Sequence, residues 1–245
     1  MGEVIAILSG KGGTGKTSVC AGLSAALAAQ GEKVLCVDCD IGLRNLDISL
    51  GMSESGALSF LDVCRGSYPL EQAPVHPVWP SLHFLTAPVE RGAAVTAEAF
   101  SALMRRACGE YAYVFLDAPG GMDAGFELAA AAAGRILLVT GADPAAVRDA
   151  ARIAQVLDQM GKERVRLVVN RVDKRMIAAM DLTVDDIMDT AGLPLLGLVP
   201  EDPAVTLAAA FGQSVLAYAP RGGASRAFRR IARRLRGIPE PVALR

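Results

Sequence analysis

Short runs of β-branched and aliphatic residues recur along this chain, each bounded by turn-forming residues and separated from the next by a longer segment with helical spacing. The strand candidates are Val4 to Leu8, Val34 to Asp38, Leu82 to Thr86, Tyr113 to Asp117, Ile136 to Thr140, Arg166 to Asn170 and Leu195 to Val199. Between them the pattern predicts helices over Lys16 to Gln30, Ala57 to Cys64, Thr96 to Cys108, Pro144 to Met160, Val184 to Ala191, Pro203 to Phe211 and Ala224 to Arg236, several opened by Thr, Asp or Pro. Strands that are apolar along their whole length are buried on both faces, so the alternation points to an α/β fold: a doubly wound, mostly parallel sheet with helices on both faces. Residues 73 to 80, Ala-Pro-Val-His-Pro-Val-Trp-Pro, read as a Pro-punctuated surface loop. No internal repeat and no Gly/Ser linker divides the chain, so residues 1–237 are expected to form a single domain and 238–245 a short tail.

Composition narrows the class. The chain has 245 residues, of which 52% are hydrophobic, enough for a sizeable core. Its longest apolar runs, such as Val4 to Leu8 and Leu128 to Ala133, fall far short of the roughly 20 residues of a membrane span. The net charge is −1, so the molecule as a whole offers no electrostatic case for nucleic acid or lipid, although local clusters can. Five cysteines and an N-terminus without a basic leader predict a reduced, cytoplasmic protein. Cys36 and Cys39 have C-x-x-C spacing, but no second Cys or His pair stands near them, and core positions on a strand are the expectation. His76 and His83 lack a carboxylate or a partner His at catalytic spacing and read as ordinary loop and strand residues.

The chemistry concentrates at strand ends. Gly10-Lys-Gly-Gly-Thr-Gly-Lys-Thr17 follows the first strand and opens the first long helix, the context a phosphate-binding loop requires. Gly12, Gly13 and Gly15 let backbone N–H groups converge on phosphate oxygens, and the helix N-terminus adds partial positive charge. Thr14 and Ser18 belong to the same cradle, Lys16 reaches the β- and γ-phosphates, and the Thr17 hydroxyl sits where Mg²⁺ binds. Lys11 is not demanded by such loops. A second lysine beside a triphosphate is repelled by Lys16 unless it meets the extra charge of a transition state, which suggests a catalytic or dimer-sensing role. Asp38 and Asp40 alternate at the end of the second strand and, on an extended segment, would point the same way toward metal and attacking water. Tyr113 to Asp117 is an apolar run ending in a carboxylate, the arrangement that holds Mg²⁺ through water, and Gly120 or Gly121 after it could offer a backbone N–H to the γ-phosphate. Asn170-Arg-Val-Asp173 superficially matches the N-K-x-D guanine-reading pattern, with Arg171 replacing the lysine. Arg221 to Arg236 holds seven arginines and no acid, with Phe228, Ile231 and Leu235 at helical spacing: a basic amphipathic helix that either packs its apolar stripe on the domain or meets a polyanion such as DNA or an anionic bilayer.

Lys11-Gly-Gly-Thr-Gly-Lys-Thr17 resembles the deviant Walker A motif of the ParA/MinD group of P-loop ATPases, and Asp38-x-Asp40-Ile-Gly-Leu-Arg-Asn-Leu-Asp47 looks like the first switch of its MinD branch. The likeness runs diffusely from residue 1 to about 237, weakest between residues 52 and 110. Asp117-Ala-Pro-Gly-Gly121 departs mildly from the Asp-Ser-Pro-Ala-Gly usual in that branch. The resemblance implies ATP with Mg²⁺, an ATP-dependent homodimer in which Lys11 crosses to the partner's phosphates, Asp40 orienting the hydrolytic water, Asp38 near the metal with Thr17 and Asp117, and Asn170 on the adenine base. It implies slow, partner-stimulated hydrolysis, a role in division-site placement, a MinC-like inhibitor and a MinE-like or other topological regulator as partners, and peripheral placement on the inner membrane face in the ATP state. One element departs from the pattern: Gly237 to Arg245, with two prolines in nine residues, cannot form the membrane-targeting amphipathic helix that usually follows. Two other readings fit the same motifs: a ParA-like DNA-segregation or protein-positioning ATPase using the Arg-rich helix, and a nucleotide-gated binding module with negligible turnover.

Overall fold

The computed structural model describes residues 2–41, 44–88 and 95–242. All seven strands are present: β1 Glu3–Leu8, β2 Val34–Asp38, β3 Leu82–Leu85, β4 Tyr113–Asp117, β5 Arg135–Thr140, β6 Val165–Val172 and β7 Leu195–Pro200. They form one sheet in the order β3-β2-β4-β1-β5-β6-β7, every pairing parallel. The helices are α1 Lys16–Ala28, α2 Leu46–Leu50, α3 Phe60–Cys64, α4 Ala97–Glu110, α5 Ala124–Ala132, α6 Pro144–Gln159, α7 Lys174–Ala179, α8 Val184–Ala191, α9 Pro203–Ala210, α10 Val215–Tyr218 and α11 Gly223–Leu235. Among the described residues no helix is long and apolar enough to cross a membrane.

Alternation along the strands sorts the core into two layers. Val4, Ala6 and Leu8 of β1 join Phe100, Phe126, Val147 and Ile187, so α4, α5, α6 and α8 cover one face. Ile5 and Ile7 join Val19, Leu23, Leu46, Leu216, Phe228 and Ile231, so α1, α2, α10 and α11 cover the other. Connections leaving β1 toward β2 use the second face and those from β4 toward β5 the first, as right-handed crossovers dictate for steps in opposite directions. The chain therefore reverses direction around β1, and the crevice beyond that strand's C-terminal end is where such sheets bind ligands.

Local chemistry accounts for the boundaries. Thr96, Asp123, Asp143, Asp173, Thr183 and Asp202 each cap a helix by accepting a backbone N–H, and Thr183 with Asp186 completes a capping box. The helix expected from Ala57 begins only at Phe60, because the preceding residues pair with the end of β3: Thr86 N donates to Leu58 O and Phe60 N to Thr86 O. Four short helices, α2, α5, α7 and α10, were not expected. Cys36 and Cys39 are fully buried, Cys39 one residue beyond β2. His76 is buried and pins the 73–80 loop: its Nε2 donates to Leu50 O at 2.8 Å while Nδ1 accepts from Val78 N and Trp79 N.

The basic helix α11 packs its apolar stripe, Phe228 against Gly22 of α1 and Ile231 against Gly197 of β7. Several of its arginines are tied to the protein itself. Arg229 donates to Pro220 O, Arg233 pairs with Glu240 of the tail, and Arg236 pairs with Glu32 at 3.1 Å. Within α11 only Arg226 and Arg233 are exposed and the other arginines are partly buried, so the ridge of free guanidinium groups that the spacing suggested is largely absent.

Candidate functional site

Residues 9–15 leave β1 and turn into α1 through two left-handed glycines, Gly13 at φ 81° and Gly15 at φ 84°. A side chain at position 15 would be doubly excluded, since its Cβ would lie 2.2 Å from Asn170 Nδ2. Gly15 is the residue that opens α1, so this helix, unlike those capped by Thr or Asp, begins without a side-chain cap. Its first N–H groups and its partial positive charge are left to an external anion.

Lys16 follows at once and is 7% exposed. Burial lowers its pKa, opposed by the nearby charges of Asp117, Asp40 and Asp123. It is a desolvated ammonium facing three acids. Thr17 donates its hydroxyl to the Asp117 carboxylate. Asp117 ends β4, in register with Ile7 of β1 on one side and Asp38 of β2 on the other. Burial, reinforced by the Asp38 charge, pushes its pKa up to about 8, against the pull of Thr17 and Lys16. Its Oδ1 is buried without a partner, as is Thr14 Oγ1 in the loop. An orphaned carboxylate oxygen beside a hydroxyl is a hard-oxygen pair of the kind Mg²⁺ takes, so the residues present fit that ion.

The strand that carries Asp38 does not run on to Asp40. β2 ends at Asp38, and the chain turns back so that Asp40 N donates to Asp38 Oδ1 at 2.9 Å while Leu46 N donates to Asp38 Oδ2 at 3.3 Å. Asp38 is 1% exposed, and burial raises its pKa to about 6 against these two hydrogen bonds. It works from behind Asp117, fastening the segment that leads to α2. Asp40 is half-buried and close enough to Lys16 and Asp117 to act on both electrostatically. Gly42 and Leu43 of this segment lie outside the described residues. Arg44 takes φ 46° and donates to Thr86 Oγ1 at 2.8 Å.

Beyond β4 the glycines meet the phosphate loop directly. A Cβ on Gly120 would stand 2.8 Å from Gly12 Cα and N, and Gly121 N donates to Ser9 O at 3.4 Å. The Gly121 N–H is therefore spent on the loop backbone. Lys11 stands on the rim, its side chain 43% exposed and paired with Asp143 at 3.6 Å.

Asn170 lies inside β6 rather than at its end, at a shift of register between Val169 and Val172. Arg171 takes φ 57° there, and the irregularity turns the two side chains apart. Asn170, 5% exposed, donates to Thr14 O at 2.9 Å and so braces the phosphate loop. Arg171 reaches outward to Glu201 at 2.8 Å. Arg171 and Glu201 line a cavity with Asp173, Met176 and Met180 and with residues 11–14, enclosing about 370 Å³. That is within the size range of small-molecule sites. Sequence reading did not find Asp123, Asp143, Met176, Met180 or Glu201; of these, Asp123 before Ala-Gly-Phe-Glu had a helix-cap signal, and the methionines had none.

A parallel sheet reversing at β1, an uncapped glycine turn into α1, and a buried lysine facing Asp117 define a P-loop nucleotide-binding protein. The sequence matches the CobQ/CobB/MinD/ParA nucleotide binding domain over residues 5–215. It is 38% identical over 247 residues to the septum site-determining protein MinD of Bacillus subtilis, covering 99% of this chain and 92% of that one. The fold is similar to MinD in the MinC:MinD cell division complex of Aquifex aeolicus, with TM-score 0.90 and 34% identity over 98% of both chains. It is also similar to Pyrococcus horikoshii MinD complexed with Mg-ADP, with TM-score 0.83 and 28% identity over 96% of each chain. The chain belongs to the MinD/ParA family of P-loop nucleotide-binding proteins, on its MinD side.

Proposed function

We propose that this chain is a MinD-type ATPase that dimerises on Mg·ATP and acts in division-site placement. The observation that carries the reading is the set Lys16, Thr17 and Asp117: a desolvated ammonium, a hydroxyl and an orphaned carboxylate at the mouth of an uncapped helix. Thr17 and Asp117 would hold Mg²⁺, which when bound supplies charge neutralisation for the β- and γ-phosphates. Lys16 adds positive charge from a buried position, where its field is weakly screened. The α1 N–H groups and those of Gly12, Gly13, Thr14, Gly15 and Ser18 donate to the remaining phosphate oxygens, so that binding costs little reorganisation. Asp40 orients the attacking water. Asp38 holds the backbone on which Asp40 stands. Asn170 fixes the loop through Thr14 and presents its other edge toward the base, with the apolar walls of Met176 and Met180 beside it.

Lys11 is supplied to the partner protomer's phosphates once the pair with Asp143 opens, a contact of a class that raises rates about 10³- to 10⁵-fold in related enzymes. Hydrolysis, slow alone and faster with a partner, separates the protomers. A MinC-like inhibitor and a MinE-like regulator are the partners this reading assigns.

Measured with a non-hydrolysable ATP analogue, binding should vanish in Lys16→Ala. Lys11→Ala should keep binding while losing the shift from monomer to dimer in analytical ultracentrifugation. Wild-type affinity in Lys16→Ala would sink the loop assignment, and a Lys11→Ala dimer of normal stability would sink the role in trans.

A further inference from the structure

The end of the sheet opposite the nucleotide site carries a second concentration of charge. Where β5, β6 and β7 begin, and where α11 ends, Arg135, Glu163, Arg164, Arg166, Arg234 and Leu235 line a cavity of about 400 Å³. Four guanidinium groups share this space. Glu3 engages two of them, Arg135 at 3.2 Å and Arg164 at 2.7 Å, with one carboxylate oxygen. Glu163 is exposed and makes no ion pair among the described residues. Arg135 also donates to Leu235 O, and Arg234 to Leu195 O, which accounts for part of each fork as support for strand and helix ends.

That support leaves donor capacity over. Arg234 Nη1 is buried with no acceptor, and Arg166 has neither a hydrogen bond nor an ion pair among the described residues. A buried donor without an acceptor is costly, and four like charges around one cavity add repulsion. The lowered pKa values of Arg135 and Arg234 have burial as their first cause, with Arg166 among the neighbours that lower both. Planar forks converging on one cavity match the oxygens of a phosphate group, which can accept several N–H bonds at once.

We propose that this cavity, lined by Arg135, Arg164, Arg166 and Arg234 at the N-terminal edge of β5 and β6, is a second anion site that takes a small phosphate-bearing ligand. It is separate from the nucleotide site and does not depend on the assignment made there. The phosphate could belong to a free phosphoanion or to a phospholipid headgroup, and recognition is the same in both: Arg166 meets the oxygens, Arg234 joins it once its side chain turns its unsatisfied nitrogen to the cavity, and Arg135 and Arg164, already anchored on Glu3, set the positive wall.

The test uses the full chain with the nucleotide site filled by saturating Mg·ADP and excess Mg²⁺. Pyrophosphate is titrated by calorimetry, and vesicles of phosphatidylcholine with and without phosphatidic acid are assayed by co-sedimentation. The variants are Arg166→Gln, whose side chain holds up nothing, and Arg166→Gln with Arg234→Gln; ADP affinity and the melting profile verify that each is folded. Saturable binding of pyrophosphate that weakens at least tenfold in the double variant, with ADP affinity unchanged, supports a soluble ligand. Pelleting with phosphatidic acid that is lost in the same variants, with no pyrophosphate binding, supports the headgroup. Binding of neither probe, or binding that both variants retain in full, overturns the proposal. Loss of ADP binding in Lys16→Ala with pyrophosphate binding intact would separate the two sites.

Discussion

Asp117 is kept at a cost when its ligands are absent, and replacing it should reveal that cost. In the nucleotide-free fold its carboxyl is fully buried between β1 and β2, with Asp38 beside it, and its pKa rises from 3.8 to about 8. Between those two values the folded chain holds a proton that the unfolded chain has released, so stability falls as pH rises from about 4 to about 8 and levels off above. At pH 7 the gap from the unfolded value is about three units, which at about 1.4 kcal/mol each sets an upper bound near 4 kcal/mol. An Asn amide still needs a partner where Thr17 now donates, so the expected gain for Asp117→Asn is about 2–4 kcal/mol, or about 5–15 °C in Tm for a chain of this size. The assay is thermal unfolding in EDTA across pH 4 to 9, repeated with Mg²⁺ and an ATP analogue. The variant should gain progressively over wild type as pH rises and should lose the stabilisation that Mg·nucleotide gives wild type. A variant no more stable than wild type at pH 7, or one whose advantage is the same at pH 4.5 and pH 8.5, would refute the reasoning.

Gly120→Ala should weaken ATP-analogue affinity by about tenfold or more, measured by fluorescence titration, because the added Cβ must displace the Gly12 backbone from 2.8 Å. His76, whose pKa burial lowers, is neutral in the fold, so its own contribution to stability is full above about pH 6.5 and is lost as pH drops below it, opposite in sign to that of Asp117. In His76→Gln that acid slope, followed by urea unfolding, should be shallower, with His83 supplying what remains. Phe228→Ala should destabilise by about 3–5 kcal/mol in chemical denaturation, since the ring is fully buried in the seam between α1 and α11. Asn170→Ala should lower nucleotide affinity severalfold by freeing the Thr14 carbonyl, read by calorimetry with ADP.

The sheet was legible because its strands are buried on both faces and so lack polar interruption; each run is short, β-branched and ended by a turn signal. The phosphate loop and Asp117 were equally open to reading, because fixed spacing on a strand-turn-helix leaves few ways to arrange them. Short helices were not. α2, α7 and α10 span four to six residues, too little for a period to declare itself, and the alanine run of α5 reads as well for a buried strand. Asp38 and Asp40 were placed by assuming that extension continues past the strand. It does not, because Asp38 accepts the N–H groups of Asp40 and Leu46 and folds the segment back, a local side-chain bond that competes with the strand. The charge on α11 was counted correctly but its use was not: Glu32, Glu240 and the Pro220 carbonyl, remote in sequence or irregular in pattern, occupy arginines that spacing alone assigns to solvent.

These corrections bear on how the site reports its ligand. β1, β2 and β4 lie side by side and are buried, and a close-packed core does not deform gradually. A change at Asp117 or the phosphate loop must leave the site through the backbone contacts that join its loops. Three are present. Cys39 N donates to Asp117 O at 2.9 Å, Leu46 N donates to the Asp38 carboxylate, and Gly120 rests on Gly12. The first two run from Asp117 and its neighbour Asp38 toward α2, whose Ile48 is 41% exposed, and the contact of Gly120 with Gly12 joins the loop to the turn carrying Met122, which is 59% exposed. If nucleotide states differ at Asp117 or the phosphate loop, these contacts are the route by which the difference would reach the surface around Ile48 and Met122.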